Sequence, residues 1–356
     1  MPTDPLYFPR TEYAQRLLAS LADGITHAFT LFAPRRMGKT QFLLNDIAPM
    51  AENMGFNVFY FSFMDDSPET VSARFQTALY RFAADSSKIK TFIASIKKLD
   101  IAGSGLEREI HHEMPPVSDI IGHIASSKRP TLLLLDEVQE LARIRHSDGL
   151  IRALRTGLDI NQRQIKTIFT GSSTNGLRTM FHDSKAPFFH FAHHLDFPVF
   201  GREFTDFLAA ICEQRNHSSL NRDAFYRAFE RLNHTPLYMR AMAQDMIVNP
   251  ALSIEEATQI RIEQMQENSG FAVLWAELTA LEKLILRQVA TGGPGLYGTE
   301  IRQTMAEELG VNSLNTSTIQ GAIRKLTRKE LLTRDAGNAL QINSPLLKTW
   351  ISESTL

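Results

Sequence analysis

Hydrophobic and polar positions divide this chain into two regimes. Up to about residue 200, short apolar runs alternate with longer amphipathic stretches. "FTLF" (Phe29–Phe32), "NVFYFSF" (Asn57–Phe63), "TLLLLDEV" (Thr131–Val138) and "IKTIFTGSS" (Ile165–Ser173) lack the alternation of half-exposed strands. They read as strands buried on both faces, and "FFHFAHHLDF" (Phe188–Phe197) reads as one more. Lys39–Met54 and about Pro68–Lys98 have helical spacing, the former with Pro49 as a break or kink. Buried strands alternating with helices predict an α/β fold with a parallel sheet covered on both sides. "DIAGSGLEREI" (Asp100–Ile110) predicts a small hairpin turning at its glycines.

From about Gly201 the strand pattern stops. Glu203–Asn249 reads as helices alone, closed by "NPALS". Beyond about Phe271, helices are predicted at Ala280–Ala290, Gly298–Leu309 and Ser317–Lys329, the last capped by Ser317 or Thr316. Ile319, Ile323, Leu326 and Leu331 form its inward face. The tail "ELLTRDAGNALQINSPLL" alternates around "DAGN" as a hairpin does. Three domains follow from these shifts: 1–200, 201–270 and 271–356. There is no fixed-period repeat and no low-complexity tract.

Composition narrows the classes. Of 356 residues, 43% are hydrophobic and 22% charged, as in ordinary globular proteins. The net charge of −1 excludes a polycation, so any nucleic-acid contact must come from a local patch. Cys212 is the single cysteine, which rules out an intramolecular disulfide and fits a reducing interior. No apolar run approaches the roughly 20 residues of a membrane span. The start, "MPTDPLYFPR", lacks the basic-then-apolar order of a secretory leader. A cytoplasmic protein with no membrane partner is expected.

The chemistry begins at "LFAPRRMGKT" (Leu31–Thr40), between a predicted strand and a predicted helix. Phosphate binding needs a curled backbone whose amides face phosphate oxygens, a lysine that reaches the β and γ phosphates, and a hydroxyl for Mg²⁺. Gly38, Lys39 and Thr40 supply the end of that pattern, and the following helix adds its positive N-terminal end. Ala33 stands where glycine is usual; a methyl group is tolerable there while φ stays negative. The candidate nucleotide loop is therefore Ala33, Pro34, Arg35, Arg36, Met37, Gly38, Lys39, Thr40 and Gln41. A match of this kind arises by chance in roughly a few per cent of chains of such length, judged from average residue frequencies. A ligand-free basic turn is the competing reading, and the flanking strand and helix argue against it.

"LLLLDEV" supplies an independent sign. Asp136 emerges at the carboxyl end of a buried strand, where parallel sheets hold ligands. There an Asp can hold Mg²⁺ through water, and the adjacent Glu137 can orient and deprotonate an attacking water. "TGSS" ends the next strand, and Ser172, with Thr170 as alternative, is the candidate sensor of the γ phosphate.

In this order, "APRRMGKT", "LLLLDEVQEL" and "FTGSS" resemble the AAA+-type P-loop ATPases, and among them the STAND-like ATPases of bacteria and archaea. The resemblance covers about Tyr7–Phe207 and implies the additional-strand, catalytic-glutamate order, followed by a helical lid. By that resemblance Phe8 and Arg10 of "YFPR" lie where a short segment packs on the adenine. "SKAPFFHF" (Ser184–Phe191) is similar to the stretch before the last core strand. "NHTPLYMRAM" (Asn233–Met242) is similar to the start of a lid helix, which implies Pro236 as a contact to the base. Asn233 or His234 replaces the frequent glycine there, and Arg240 is left as the lid arginine. Arg178, Lys185 and Arg202 are the alternatives for an arginine acting between subunits.

The C-terminal pattern is that of a winged helix-turn-helix. Arg324, Lys325, Arg328 and Lys329 fall on the outward face of the Ser317–Lys329 helix, with Arg334 at the wing. Such a face suits a DNA major groove. In STAND-like ATPases the same module also clamps the nucleotide or docks proteins, so a protein partner or self-association stays open. Of His190, His193 and His194, a strand would put His190 and His194 on one face with His193 pointing away, and two ligands are too few to make a zinc site without a partner elsewhere. Two functions are carried forward: an ATP-hydrolysing switch that couples ATP or ADP to the C-terminal domain, and an ATP-regulated DNA-binding protein with little turnover. An inert scaffold with a degenerate site is the third.

Overall fold

A computed structural model describes residues 4–64, 68–85, 91–94, 114–144, 147–172, 180–181, 186–268, 270–292, 295–334 and 339–353. The chain divides into two compact units, Met1–Val199 and Phe200–Leu356.

In the first unit a helix α1 (Thr11–Ala22) precedes β1 (Ala28–Phe32). Then come α2 (Lys39–Phe42), a π-helical turn (Leu43–Ile47) and α3 (Ala48–Asn53). The rest of the unit is β2 (Asn57–Ser62), α4 (Pro68–Asp85), β3 (Thr91–Ala94), α5 (Val117–Ala125), β4 (Thr131–Asp136), α6 (Asp148–Ile160), β5 (Ile165–Gly171) and β6 (His193–Asp196). The six strands form one sheet in the order β3-β2-β4-β5-β1-β6. Every pairing is parallel. β5 thus stands between β1, which leads into the loop, and β4, which carries the two acids.

The continuous apolar runs follow from the two-sided burial. Phe59, Phe61, Leu133, Leu135 and Phe169 face a core shared with α4, α5 and α6. Their neighbours Val58, Tyr60, Leu132, Leu134 and Ile168 face the opposite core, shared with α1, α2 and α3. Alternate side chains leave a strand on opposite sides, so only an all-apolar strand satisfies both cores. Leu132–Leu135 are wholly enclosed, and each contributes about 1.5–3 kcal/mol by burial.

Several predicted bounds change. The Lys39–Met54 helix is interrupted by the π turn just before Pro49, which has no N–H to continue the ladder. The predicted helix to Lys98 ends at Asp85, and "TFIA" (Thr91–Ala94) is instead the edge strand β3. The strand predicted over Phe188–Phe197 is confined to His193–Asp196. Phe188 and Phe191 enter the core from a turn, and His190 takes φ 54°, so His190 and His194 do not share a strand face. The hairpin predicted at Asp100–Ile110 lies outside the described residues.

The second unit holds α7 (Arg202–Asn216), α8 (Arg222–Arg231), α9 (Pro236–Val248) and α10 (Ile254–Asn268). It continues with α11 (Phe271–Ala276), α12 (Ala280–Ala290), α13 (Thr299–Glu308), α14 (Thr316–Arg328), antiparallel β7 (Leu332–Arg334) and β8 (Leu340–Ile342), and α15 (Pro345–Glu353). Ile285, Leu286, Ile319, Ile323, Leu326, Leu332 and Ile342 belong to one core. The cap of α14 is Asn315, not Ser317 or Thr316: its Oδ1 accepts from Thr318 N at 2.8 Å. Cys212 is a buried core residue whose thiol burial pushes up to about 11. No described helix is long and apolar enough to cross a membrane.

Candidate functional site

Four side chains from two distant segments meet at the carboxyl ends of β1 and β4. Thr40 Oγ1 donates to Asp136 Oδ2 at 2.6 Å across 96 residues of sequence. Lys39 Nζ lies 3.9 Å from Glu137 Oε1. It also donates to the carbonyls of Ala33 at 2.8 Å and Pro34 at 3.1 Å, which folds the loop around the ammonium group. Lys39 is only 4% exposed. Desolvation lowers its pKa, opposed by Glu137 and Asp136.

The backbone explains the residue types in the loop. Gly38 has φ +89°, a left-handed value that side chains resist. Space is not the constraint, since an added Cβ would meet only Arg10 at 3.6 Å. Arg36 shares the left-handed region at φ 71° without being glycine. Ala33 does not, and its methyl lies in the core with Leu31 and Met37. The departure from glycine is thus an extra apolar contact beneath the loop. Pro34, Arg35, Arg36, Thr40 and Gln41 are exposed.

Asp136 is held by three hydroxyls. Besides Thr40, Tyr60 OH donates to Oδ2 at 3.1 Å and Thr170 Oγ1 donates to Oδ1. Burial first, then Asp136, raises the Tyr60 pKa far above the ordinary phenol, so the hydroxyl stays a donor. Thr170 Oγ1 also accepts from Glu137 N at 3.3 Å. That contact supports Glu137 in its left-handed conformation, φ 53°. Glu137 Oε2 accepts from Ser172 Oγ at 2.6 Å and from Gln139 Nε2 at 2.5 Å.

The N-terminal segment is tied to the same place. Asp46, in the π turn, accepts from Tyr7 OH at 2.5 Å and Arg10 N at 3.2 Å. Arg10 donates to the Met37 carbonyl at 3.2 Å and its guanidinium lies 4.4 Å over the Phe197 ring. Burial lowers its pKa to about 10. Phe8 is half-buried.

Elsewhere, Pro236 opens α9 as a buried first-turn proline. Asn233 and His234, with φ 52° and 48°, adopt the left-handed conformation that makes glycine frequent there. Arg202 pairs with Asp223 and lies 5.2 Å over Tyr226. Arg178 and Lys185 lie outside the described residues. No group of three or more His, Cys, Asp or Glu capable of holding a metal occurs among the described residues. Sequence reasoning missed Tyr60, Gln139 and Asp46. A hydroxyl within the aromatic run of β2 was the one available signal, because a buried Tyr seeks a partner.

Chemically, the arrangement offers an ammonium group, a hydroxyl and two carboxylates at the mouth of a parallel sheet. Mg²⁺ takes oxygen ligands, and Thr40 Oγ1 with Asp136 Oδ2 presents two of them at one spot, so these residues fit the ion.

No protein-family model matches the sequence, and no curated protein does. Among solved structures, the fold is similar to the Walker-type ATPase of Pyrococcus abyssi, with a TM-score of 0.63 at 18% identity, covering 97% of this chain and 96% of that one. It is also similar to the Aeropyrum pernix ORC2 protein in its ADP form, with a TM-score of 0.57 at 15% identity over 98% and 96% of the two chains. The chain therefore shares the overall fold of these two proteins.

Proposed function

We propose that this protein binds ATP and hydrolyses it to ADP and phosphate, as a STAND-like switch that couples nucleotide state to its C-terminal domain. The observation that carries the reading is the meeting of Lys39 and Thr40 with Asp136 and Glu137. The names of the neighbours, a Walker-type ATPase and a protein in its ADP form, agree with it. Residues Ala33–Gln41 hold the phosphates, with Lys39 at the β and γ groups. Thr40 and Asp136 hold Mg²⁺, which neutralises phosphate charge when bound. Glu137 accepts the proton of the attacking water, and Ser172 reports on the γ phosphate through its bond to Glu137. Arg10 and Phe8 are the proposed contacts to the base from the first unit. In this reading 1–200 is the ATPase core, 201–270 the lid and 271–356 a winged helix.

Turnover by the wild type and by Glu137→Gln tests the assignment. The variant should keep ATP affinity and lose about 100-fold or more in kcat. Equal rates remove Glu137 from the catalytic role, and a wild type that does not bind ATP removes the whole reading.

A second reading has its own observation. Arg324, Lys325 and Arg328 on α14 and Lys329 at its C-cap are all exposed, and none forms an ion pair among the described residues. An ATP-regulated protein that binds DNA through this face follows, with band-shift titration against salt as its test.

A further inference from the structure

We infer that Gln139 holds the attacking water together with Glu137: its side-chain carbonyl oxygen accepts the hydrogen that Glu137 does not take. The inference rests on the ATPase reading and deepens it with a residue which that reading leaves unused.

Gln139 lies on the 3-10 turn Val138–Arg143 and is 0% exposed. Its Nε2 donates to Glu137 Oε2 at 2.5 Å, to Ser172 Oγ at 3.3 Å and to Glu140 Oε1 at 3.4 Å. A carboxylate only accepts, so the amide must turn its nitrogen toward Glu137. This fixes Oε1 as the remaining end of the planar group. Oε1 is buried and has no hydrogen-bond partner among the described residues. Enclosed amide oxygens are nearly always paired in folded proteins. A lone one, a single carbon from an amide nitrogen that already binds the candidate base, marks the place of a further donor.

Water in that place has two hydrogens and needs two acceptors to keep one orientation. Oε2 of Glu137 already takes Gln139 and Ser172, so Oε1 of Glu137, the oxygen facing Lys39, is the one free to accept a proton. Gln139 Oε1 takes the other hydrogen. In the step that follows, the water oxygen bonds to the γ phosphorus. The bond from that phosphorus to the β–γ bridging oxygen breaks, and its electron pair leaves with ADP. One proton passes to Glu137 and from there to solvent, and the other stays on the new phosphate. Gln139 takes no proton; it limits the rotation of the nucleophile.

Steady-state ATP hydrolysis, ATP affinity and thermal melting of the full chain test this in the wild type, Gln139→Met and Gln139→Asn. Met keeps the shape without polar atoms, and Asn keeps the amide but withdraws it by one methylene. Both variants should lose about tenfold or more in kcat, while KM and ATP affinity stay within about twofold. A role confined to packing would lower melting or affinity along with turnover, and that result overturns the inference. A folded variant whose turnover stays within about twofold of the wild type overturns it as well. If Gln139→Met does not fold, Gln139→Asn decides on the same criteria; if neither folds, the role is structural and the inference falls. A wild type that binds ATP without hydrolysing it overturns the ATPase reading and this inference with it. A wild type that hydrolyses ATP while the variants keep pace overturns the inference alone.

Discussion

His27, just before β1, is half-buried with its ring edge-on to Phe191 at 4.8 Å. Its Nε2 is enclosed without a hydrogen-bond partner among the described residues. Burial, then the nearby Lys166, lowers its pKa below the ordinary 6.5, against an opposing contribution from Asp159. Between the folded value and 6.5 the unfolded chain therefore carries a proton that the folded chain does not. Stability from this residue is lost as pH falls through that window, and above 6.5 both states are neutral and the contribution is constant. Melting curves should show the wild type losing more stability than His27→Gln between about pH 6.5 and 5. Parallel losses would mean that His27 titrates alike in both states. The same scale shows what single residues disclosed in advance. Gly38, Lys39, Thr40, Asp136 and Glu137 were legible because their chemistry admits few substitutes. Tyr60 and Gln139 were not, because a polar atom within an apolar run announces a partner without naming it.

Among the elements, α14 has the clearest local cause. Asn315 accepts at one oxygen from Thr318 N at 2.8 Å, Thr318 Oγ1 at 2.7 Å and Ser317 Oγ at 2.7 Å. It satisfies an amide that the helix itself leaves open. Asn315→Ala should cost about 1 kcal/mol, a fall in melting midpoint of about 2–4 °C for a unit of this size. No shift would mean that water or Ser317 replaces the cap. The element level also shows where patterns fail. β4 was readable because burial on both faces forces "LLLL". β3 was not, since an edge strand of four residues, "TFIA", carries no periodicity that separates it from the helix before it. Phe188 and Phe191 mimic a strand by being apolar, yet they reach the core from a turn. The π turn at Leu43–Ile47 had only Pro49 to signal it.

At the scale of the whole molecule the charge balance sets the terms for DNA. With a net charge of −1 the protein as a whole has no long-range attraction for a polyanion. The proposed local patch is Arg324, Lys325, Arg328 and Lys329, which are exposed and make no ion pair among the described residues. Releasing counterions from four phosphates gives log affinity against log salt a slope of about −3.6. Arg324→Glu with Arg328→Glu should remove about half of that slope and abolish a band shift at low salt. Both side chains are exposed and neither is among the proposed nucleotide contacts, so ATP affinity should not change, and an unchanged melting curve separates a lost contact from a lost fold. A slope near zero, or binding that survives both substitutions, would assign the four cations to solvated surface. The proposed C-terminal domain would then act on a protein surface, the proposed ATPase core or a second copy.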